Sequence, residues 1–153
     1  MSNTKNNKNQ EDKKIGESAV IARAIGNSLP MSLKYAVNIT KEVRGKNVQQ
    51  ARRILEDSIK MSKPIKFHRD VNGVGHKRGM GPGRYAPKTC ENILSVLNSA
   101  VANAEHKGLS TKNLFVKSIV PSKGPTIPRY GRGGHAKRTN LTITIGEVGE
   151  AKR

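Results

Sequence analysis

The stretch PKTCENILSVLNSAVANAEHKG, residues 87–108, has the clearest periodicity in the chain. Its apolar side chains recur three or four positions apart, as on one face of an amphipathic helix. They are Cys90, Ile93, Leu94, Leu97, Val101 and Ala104. Pro87 suits the first turn of a helix. His106 and Lys107 suit its last turn, and Gly108 suits its C-terminal cap. The pattern therefore predicts a helix over this stretch.

Two shorter helices are predicted upstream of it. Ser32 can cap the first one, and Gly45 offers its C-terminal stop. The helical stripe between them is Leu33, Ala36, Val37, Thr40 and Val43. Asn47 and Gln50 resemble a capping box that begins a second helix, which runs to about Lys60. Its apolar face is Val48, Ala51, Leu55 and Ile59.

Three segments have the pattern of strands. SAVIARAI, residues 18–25, is a strand candidate in spite of its alanines. NLFVKSIV, residues 113–120, is rich in β-branched and aromatic residues, which favour strands. Leu141, Ile143 and Ile145 alternate with polar residues, as in a half-buried strand. The chain thus changes from helical to extended patterning after the third helix.

Length and composition favour one small domain with an aliphatic core. The chain has 153 residues, no Trp, three Tyr and two Phe. Residues 1–14 are almost free of apolar side chains, so we expect a disordered polar tail, followed by a single domain over residues 15–153. No signal-peptide core or long apolar run occurs, which favours a cytoplasmic protein. Cys90 is the only cysteine, so no internal disulfide or clustered-cysteine zinc site is expected.

Positive charge dominates the chain. Lys and Arg number 29 against 11 Asp and Glu, which gives a formal net charge of +18. Such an excess repels itself and favours a polyanionic partner, for which nucleic acid is the usual choice. An anionic membrane is disfavoured because no basic segment has a continuous apolar face.

Two irregular, glycine-rich segments concentrate this charge. One is the basic loop, residues 63–86, whose only acid is Asp70. The other is the connection PSKGPTIPRYGRGGHAKR, residues 121–138, which has no acid. Glycine allows close backbone approach and Arg and Lys neutralise phosphates, so we expect both segments to lack internal packing and to be ordered on RNA. Tyr85 and Tyr130 each adjoin an arginine and offer a face for an unstacked base.

Other motifs do not lead to a catalytic or cofactor site. GPGRYA (81–86) and GRGGHA (131–136) match a relaxed dinucleotide fingerprint but lack its βαβ frame. The histidines of the basic segments lie without carboxylates or thiols at ligand spacing, which argues against a metal. Cys90 is on an apolar stripe and is interpreted as a buried hydrophobe. We predict no enzyme activity, cofactor, metal or small-molecule substrate.

Several stretches resemble the universal large-subunit ribosomal protein family numbered twenty-two, called seventeen in eukaryotic cytosolic ribosomes. They are PMSLKYAVNITKEVRGKNVQQARRILE (30–56), SAVANAEHKGLSTKNLFV (99–116), KGPTIPRY (123–130) and KRTNLTITI (137–145). The segment FHRDVNGVGHKRGMGPGRYAPK, residues 67–88, is similar to archaeal and eukaryotic members, and its GPGRY form favours an archaeal-type member.

The resemblance implies an α+β fold. In it, three helices are packed on a small three-stranded antiparallel sheet, with an extended β-hairpin over residues 121–138 and a long basic loop. It also implies binding to large-subunit rRNA, where the protein clamps several rRNA domains and its hairpin contributes to the polypeptide exit tunnel wall. Implied partners are rRNA, neighbouring large-subunit proteins and the nascent polypeptide, and the implied location is the cytoplasmic ribosome. Family hairpins carry a longer Arg-rich run after the position of Tyr130, so this hairpin is expected to be shorter.

The expected rRNA contacts combine the basic segments with the resemblance. They are Lys34, Arg44, Lys46, Lys63, Lys66, His68, Arg69, His76, Lys77, Arg78, Arg84, Tyr85, Lys88, Asn103, His106, Lys123, Arg129, Tyr130, Arg132, His135, Lys137 and Arg138. The expected tip of the tunnel hairpin is Pro128, Arg129, Tyr130, Gly131 and Arg132. Two alternatives remain open: a nucleoid-type protein that coats DNA, and an enzyme that acts on nucleic acid.

Overall fold

The computed structural model describes residues 21–131 and 133–147. The predicted tail and the first three residues of the first predicted strand lie outside this range, as does Arg132. The helices are α1 (Leu33–Val43), α2 (Val48–Ile59) and α3 (Pro87–His106). The strands are β1 (Ile21–Leu29), β2 (Ile65–Lys66), β3 (His76–Lys77), β4 (Gly81–Arg84), β5 (Leu114–Lys123), β6 (Ile127–Pro128), β7 (His135–Ala136) and β8 (Thr139–Glu147).

The main sheet is antiparallel and has the order β1-β8-β5. The central strand β8 pairs Ile143 with Ala24 on one side and with Ile119 on the other. Its predicted alternation is confirmed, because Leu141, Ile143 and Ile145 are fully buried while the intervening side chains are half-buried. The alternation directs the apolar face of the sheet toward the helices.

The three helices cover this sheet and close one hydrophobic core. Helix α3 packs on β1 and β8, α2 packs on α3, and α1 packs on β5. The helical stripes predicted from spacing supply fully buried residues, among them Val43, Leu55, Ile93 and Leu97, and Ile39, which the predicted stripe of α1 did not include, is fully buried as well. The α+β fold of three helices on a three-stranded antiparallel sheet is confirmed. Among the described residues, no helix is long and apolar enough to cross a membrane.

The helix ends follow the predicted capping residues with two differences in their hydrogen bonds. Ser32 occupies the N-cap position of α1, but its side chain makes no capping hydrogen bond. Gly108 has φ +75° and donates its N–H to the carbonyl of Glu105, so it terminates α3 in the left-handed conformation. The side chain of Asn47 caps α2 by accepting from the N–H of Gln49 at 3.0 Å. A capping box would instead use the N–H of Gln50, so only the cap itself is confirmed.

Strand β1 extends further than its sequence pattern indicates. It was predicted to end at Ile25, but it continues to Leu29 through an irregularity between Gly26 and Leu29. Ser28 has φ +52° there, and its N–H donates to Oδ1 of Asn140 at 2.8 Å. Gly26, Asn27 and Ser28 favour turns, so the sequence does not indicate this continuation. The strand continues because pairing with β8 overrides their local preference.

The basic loop forms a small sheet of its own, which corrects the expectation that it cannot pack internally. Strand β4 pairs with β2 on one side and with β3 on the other. Ile65 and Phe67 are buried, and the Phe67 ring meets the Tyr35 ring edge-on with centroids 5.3 Å apart. The loop therefore has an apolar anchor on α1.

The connection between β5 and β8 is the predicted hairpin, built in two steps. The stem continues the main sheet to the pair Lys123 and Thr139, and β6 then pairs with β7. Gly124 lies between the two steps and donates its N–H to Arg138 O at 3.0 Å. A Cβ at Gly124 would lie 2.8 Å from the Arg138 carbonyl carbon, so this close approach requires glycine.

Candidate nucleic-acid interface

Asn38 holds the beginning of the basic loop against α1. Its side chain is buried, and its Oδ1 accepts from the N–H groups of His68 at 2.8 Å and Arg69 at 2.9 Å. Its Nδ2 donates to the carbonyls of Lys34 at 2.9 Å and Arg69 at 3.0 Å. The amide is thus fully engaged, which is the condition for burying such a group at low cost.

Replacing Asn38 with Ala should lower the free energy of unfolding by about 1–3 kcal/mol, because two partly buried N–H groups would lose their acceptor. Chemical denaturation of the free protein measures this change. Asn92→Ala is the matched control, since Asn92 bonds only the Lys88 carbonyl within its own exposed helix face. We expect the control to change stability by less than about 0.5 kcal/mol. Equal losses in the two variants would contradict the assigned role.

Arg84 ties the other end of the basic loop to the body. Its Nη1 donates to the Tyr35 hydroxyl at 2.6 Å, and its Nη2 donates to the Gly73 carbonyl at 2.7 Å. Its guanidinium also lies 5.9 Å from the centroid of the Tyr35 ring. Arg84 was predicted as a phosphate contact, but the structure uses it to join β4, α1 and a turn of the loop. The basic loop is therefore already shaped in the free chain.

Four of the predicted contact residues, three lysines and one histidine, lie beside carboxylates. The pairs are Lys34 with Asp70 (3.4 Å), Lys46 with Glu42 (3.9 Å), Lys63 with Asp57 (3.8 Å) and His68 with Glu42 (2.9 Å). A carboxylate does lie beside His68, although the sequence indicated none at ligand spacing from the histidines of the basic segments. Glu42 lies on α1, so sequence spacing did not reveal it. Exposed ion pairs are worth at most about 1 kcal/mol, so the three lysines can exchange these partners for phosphates.

Three further predicted contacts are anchored on backbone carbonyls. Arg44 donates to Ile119 O at 3.1 Å, Arg138 to Ser28 O at 3.3 Å and Asn103 to Arg23 O at 3.0 Å. Each of these bonds joins a helix or the hairpin stem to a strand of the main sheet. These side chains therefore contribute to the fold as well as to the positive surface.

A cavity of about 630 Å³ lies at the base of the hairpin, and we call it the stem cavity. It is bordered by the first residues of α1, the first turn of α3, and the two hairpin arms. The side chains with polar or aromatic groups that line it include Tyr35, Tyr85, Lys88, Arg129, Lys137 and Arg138. No acid is present among the described residues of this lining. Residues predicted to contact rRNA at the end of the basic loop and in the hairpin therefore line the same cavity.

A second cavity, of about 390 Å³, adjoins the stem cavity and shares Lys137 and Arg138 with it. Lys34, Lys123 and His135 also line this second cavity. No carboxylate side chain lines it within the described part of the chain. The two cavities together form a continuous positive surface along the hairpin base.

The other predicted contacts lie on separate surfaces. Lys46, Lys63 and Lys66 line a cavity of about 540 Å³ that also contains two acids. Arg44 and Arg69 line a fourth cavity, of about 350 Å³, between α1 and the hairpin stem.

The remaining predicted contacts lie on β3 of the basic loop, at the C-terminal end of α3 and at the end of the hairpin. His76, Lys77 and Arg78 are exposed on β3 and the turn after it. Asn103 and His106 lie at the C-terminal end of α3, about 20–30 Å along the helix from the stem cavity. Pro128, Arg129, Tyr130 and Gly131 occupy the exposed end of the hairpin.

Sequence reasoning missed four residues of these surfaces. Lys41 and Arg53 line the positive sites beside predicted contacts. The spacing of three positions between Lys41 and Arg44 could have identified Lys41. Tyr35 was counted only as one of few aromatic rings. The role of Asn38 could not be predicted from the sequence, because His68 and Arg69, whose N–H groups it binds, are 30 and 31 residues away.

Cys90 is buried on the core face of α3, as predicted. Burial raises the pKa of its thiol, a hydrogen bond with Ser58 lowers it, and the charge of Glu91 raises it. A thiol held neutral in the core is a poor nucleophile. The described residues contain no cluster of three or more His, Cys, Asp or Glu that could bind a metal.

Comparison with known proteins gives a consistent family match. The profile of the family described as ribosomal protein L22p/L17e matches residues 24–143. The chain is 45% identical over 112 residues to large ribosomal subunit protein uL22 of Methanocaldococcus jannaschii, covering 71% of this chain and 72% of the relative. The Archaeoglobus fulgidus protein of the same name is 41% identical with the same coverage. The Picrophilus torridus protein is 35% identical over 136 residues, covering 84% and 91%. The matched residues include both basic segments, and these relatives are archaeal, as predicted.

Proposed function

Because the chain belongs to the ribosomal protein L22p/L17e family and is a large-subunit ribosomal protein, we propose that it is a non-enzymatic clamp on large-subunit rRNA. The observation that carries this proposal is the stem cavity, where cations from α3 and both arms of the hairpin meet Tyr85 of the basic loop without an acid among the described lining residues. Phosphates supply the negative charge that such a surface lacks.

The clamp follows from the separation of the positive surfaces. One lies at the stem cavity, one on α2 beside β2, and one between α1 and β5. No described lining residue is shared among the three, so one folded body can neutralise phosphates of several rRNA elements at once. The free chain already orders the basic loop through Asn38 and Arg84, which lowers the entropy lost when RNA binds.

The hairpin supports a contribution to the polypeptide exit tunnel. Its two arms extend beyond the main sheet, and Tyr130 at the end is fully exposed. Lys123, Arg129 and Lys137 are exposed along the arms. In the proposed arrangement the arms lie between rRNA elements, and the exposed tip faces the nascent polypeptide. The protein would work in the cytoplasm as part of the ribosome, beside neighbouring large-subunit proteins.

Competition binding tests the proposed partner. A labelled large-subunit rRNA fragment is bound to the full chain and challenged with unlabelled rRNA fragment or with duplex DNA of equal phosphate count. We expect the rRNA to compete at least about 10-fold more strongly than the DNA, because folded RNA presents several phosphate elements to the separate positive surfaces. Equal competition would instead support a DNA-coating protein. Turnover of either nucleic acid by the purified chain would support an enzyme.

A further inference from the structure

We propose that the stem cavity binds one unstacked nucleotide of RNA, with its base against Tyr85 and its phosphate beside Lys88, Arg129 and Lys137. This inference rests on the proposed rRNA binding and adds the kind of RNA element that one surface recognises. It separates Tyr85, which lines a cavity, from Tyr130, which is exposed at the hairpin end.

The size and walls of the cavity fit a flat organic group. Its volume of about 630 Å³ lies within the range of about 300–1,000 Å³ typical of small-ligand sites. Met31, Ala86 and Pro87 contribute apolar wall, and the half-buried rings of Tyr35 and Tyr85 contribute aromatic wall. Bases that leave a helical stack are commonly received on such aromatic side chains.

The walls are held in place before any ligand arrives. The Tyr35 ring is fixed by the edge of Phe67 and by the hydrogen bond from Arg84. The Tyr85 ring has the Lys77 ammonium 5.4 Å from its centroid. Ala86 begins α3 by accepting from the N–H of Cys90 at 2.9 Å. A prepared cavity avoids much of the ordering cost that a mobile loop would incur on binding.

The charge around the cavity fits a phosphate. Lys88, Arg129 and Lys137 are exposed and come from α3 and from both arms of the hairpin. The first turns of α1 and α3 also border the cavity, and the positive ends of their helix dipoles add to this field. Since the described lining contains no acid, no carboxylate repels an anion that binds there.

The concave shape favours an unstacked nucleotide over paired RNA. The backbone of a duplex can be neutralised by exposed lysines on an open surface, and it presents no free base faces to the protein. An aromatic cavity adds nothing to such binding. It contributes only when a bulged or single-stranded nucleotide leaves the stack and enters. A free nucleoside monophosphate has the same chemistry, so the experiment separates the two sources.

The experiment compares RNA hairpins of equal length with and without a single-nucleotide bulge, bound to the full chain and to variants. The wild type should prefer the bulged RNA, and Tyr85→Ala should reduce this preference by about 5- to 150-fold, the effect of losing one base stack. Tyr85→Phe keeps the ring and should retain the preference. Lys60→Ala, which removes an exposed side chain outside the predicted contacts, is the control and should leave the preference unchanged. Tyr130→Ala should reduce the preference by less than Tyr85→Ala, because Tyr130 does not line the cavity. Lys137→Ala should weaken binding of the bulged RNA without unfolding the chain, because Lys137 is exposed.

The outcomes separate this inference from the proposed function. Equal, salt-dependent binding of the two RNAs by the wild type would overturn the inference while rRNA binding stands. Absence of binding to any rRNA fragment would overturn both. Equal losses from Tyr85→Ala and Tyr130→Ala would place the stacking outside the cavity and overturn the inference. Binding of adenosine or uridine monophosphate that Tyr85→Ala weakens, while the same variant leaves binding of the bulged RNA unchanged, would assign the cavity to a free nucleotide and overturn the inference.

Discussion

Raising the salt concentration from about 50 to 200 mM should weaken binding of an rRNA fragment by about 10³- to 10⁵-fold, if the chain contacts about 6–10 phosphates. The physical reason is counterion release, because each Lys or Arg that neutralises a phosphate frees a condensed cation into solution. The net charge of +18 and the separate positive surfaces make this number of contacts attainable. Fluorescence anisotropy with a labelled rRNA fragment over a salt series measures the slope.

Two controls make the salt prediction specific. The same increase in salt should raise the thermal unfolding midpoint of the free chain, because it screens the self-repulsion of the cations. Weaker binding at high salt therefore cannot come from unfolding. Lys137→Ala should reduce the slope by about 1, as expected for the loss of one phosphate contact. Lys60→Ala removes an exposed lysine outside the predicted contacts and should leave the slope unchanged. A nearly flat salt dependence would contradict the proposed clamp.

The main body was predictable because its signals are local. Helical spacing over residues 87–108 and alternation at Leu141, Ile143 and Ile145 each describe one face of one element. Burying those faces together requires helices on a sheet, whatever the details of the loops. The end of α3 at Gly108 was predictable for the same reason, since a C-terminal cap depends only on adjacent residues.

The order within the basic loop was not predictable, because its contacts join residues far apart in the chain. Asn38 meets Arg69 across 31 positions, and Arg84 meets Tyr35 across 49. The composition of the loop indicated only that its own side chains could form little core. That reasoning missed the pairing of β4 with β2 and β3 within the loop. It also missed the side chains of Asn38 and Tyr35, which α1 supplies as partners for the loop.

Positive charge identified the candidate contacts but not their arrangement. Composition could not show that Arg84 is engaged inside the fold while Lys137 remains exposed. Nor could it show that Tyr85 lines a cavity and Tyr130 does not. Both distinctions depend on how the hairpin base meets α1 and α3. They matter for function, because an engaged cation shapes the surface whereas an exposed cation binds the partner.

Leu97→Ala should lower the free energy of unfolding by about 2–5 kcal/mol, the range for removing a large aliphatic side chain from a well-packed core. Leu97 is fully buried on α3, the helix that contacts both β1 and β8 as well as α2. A cavity at this point weakens the layer that holds the sheet to the helices. Chemical denaturation of the free chain measures the loss.

Leu94→Ala is the matched control, because the same side chain is removed from a position on α3 that is only partly buried. Its loss should be clearly smaller, and equal losses would contradict the assignment of Leu97 to the centre of the core. Below its unfolding midpoint, Leu97→Ala should bind rRNA with unchanged affinity and salt slope, since it touches none of the positive surfaces. Saturating rRNA should restore part of its lost stability, because a ligand that binds only the folded chain shifts the unfolding equilibrium by mass action. Leu97→Ala therefore separates residues that stabilise the folded body from residues that bind RNA.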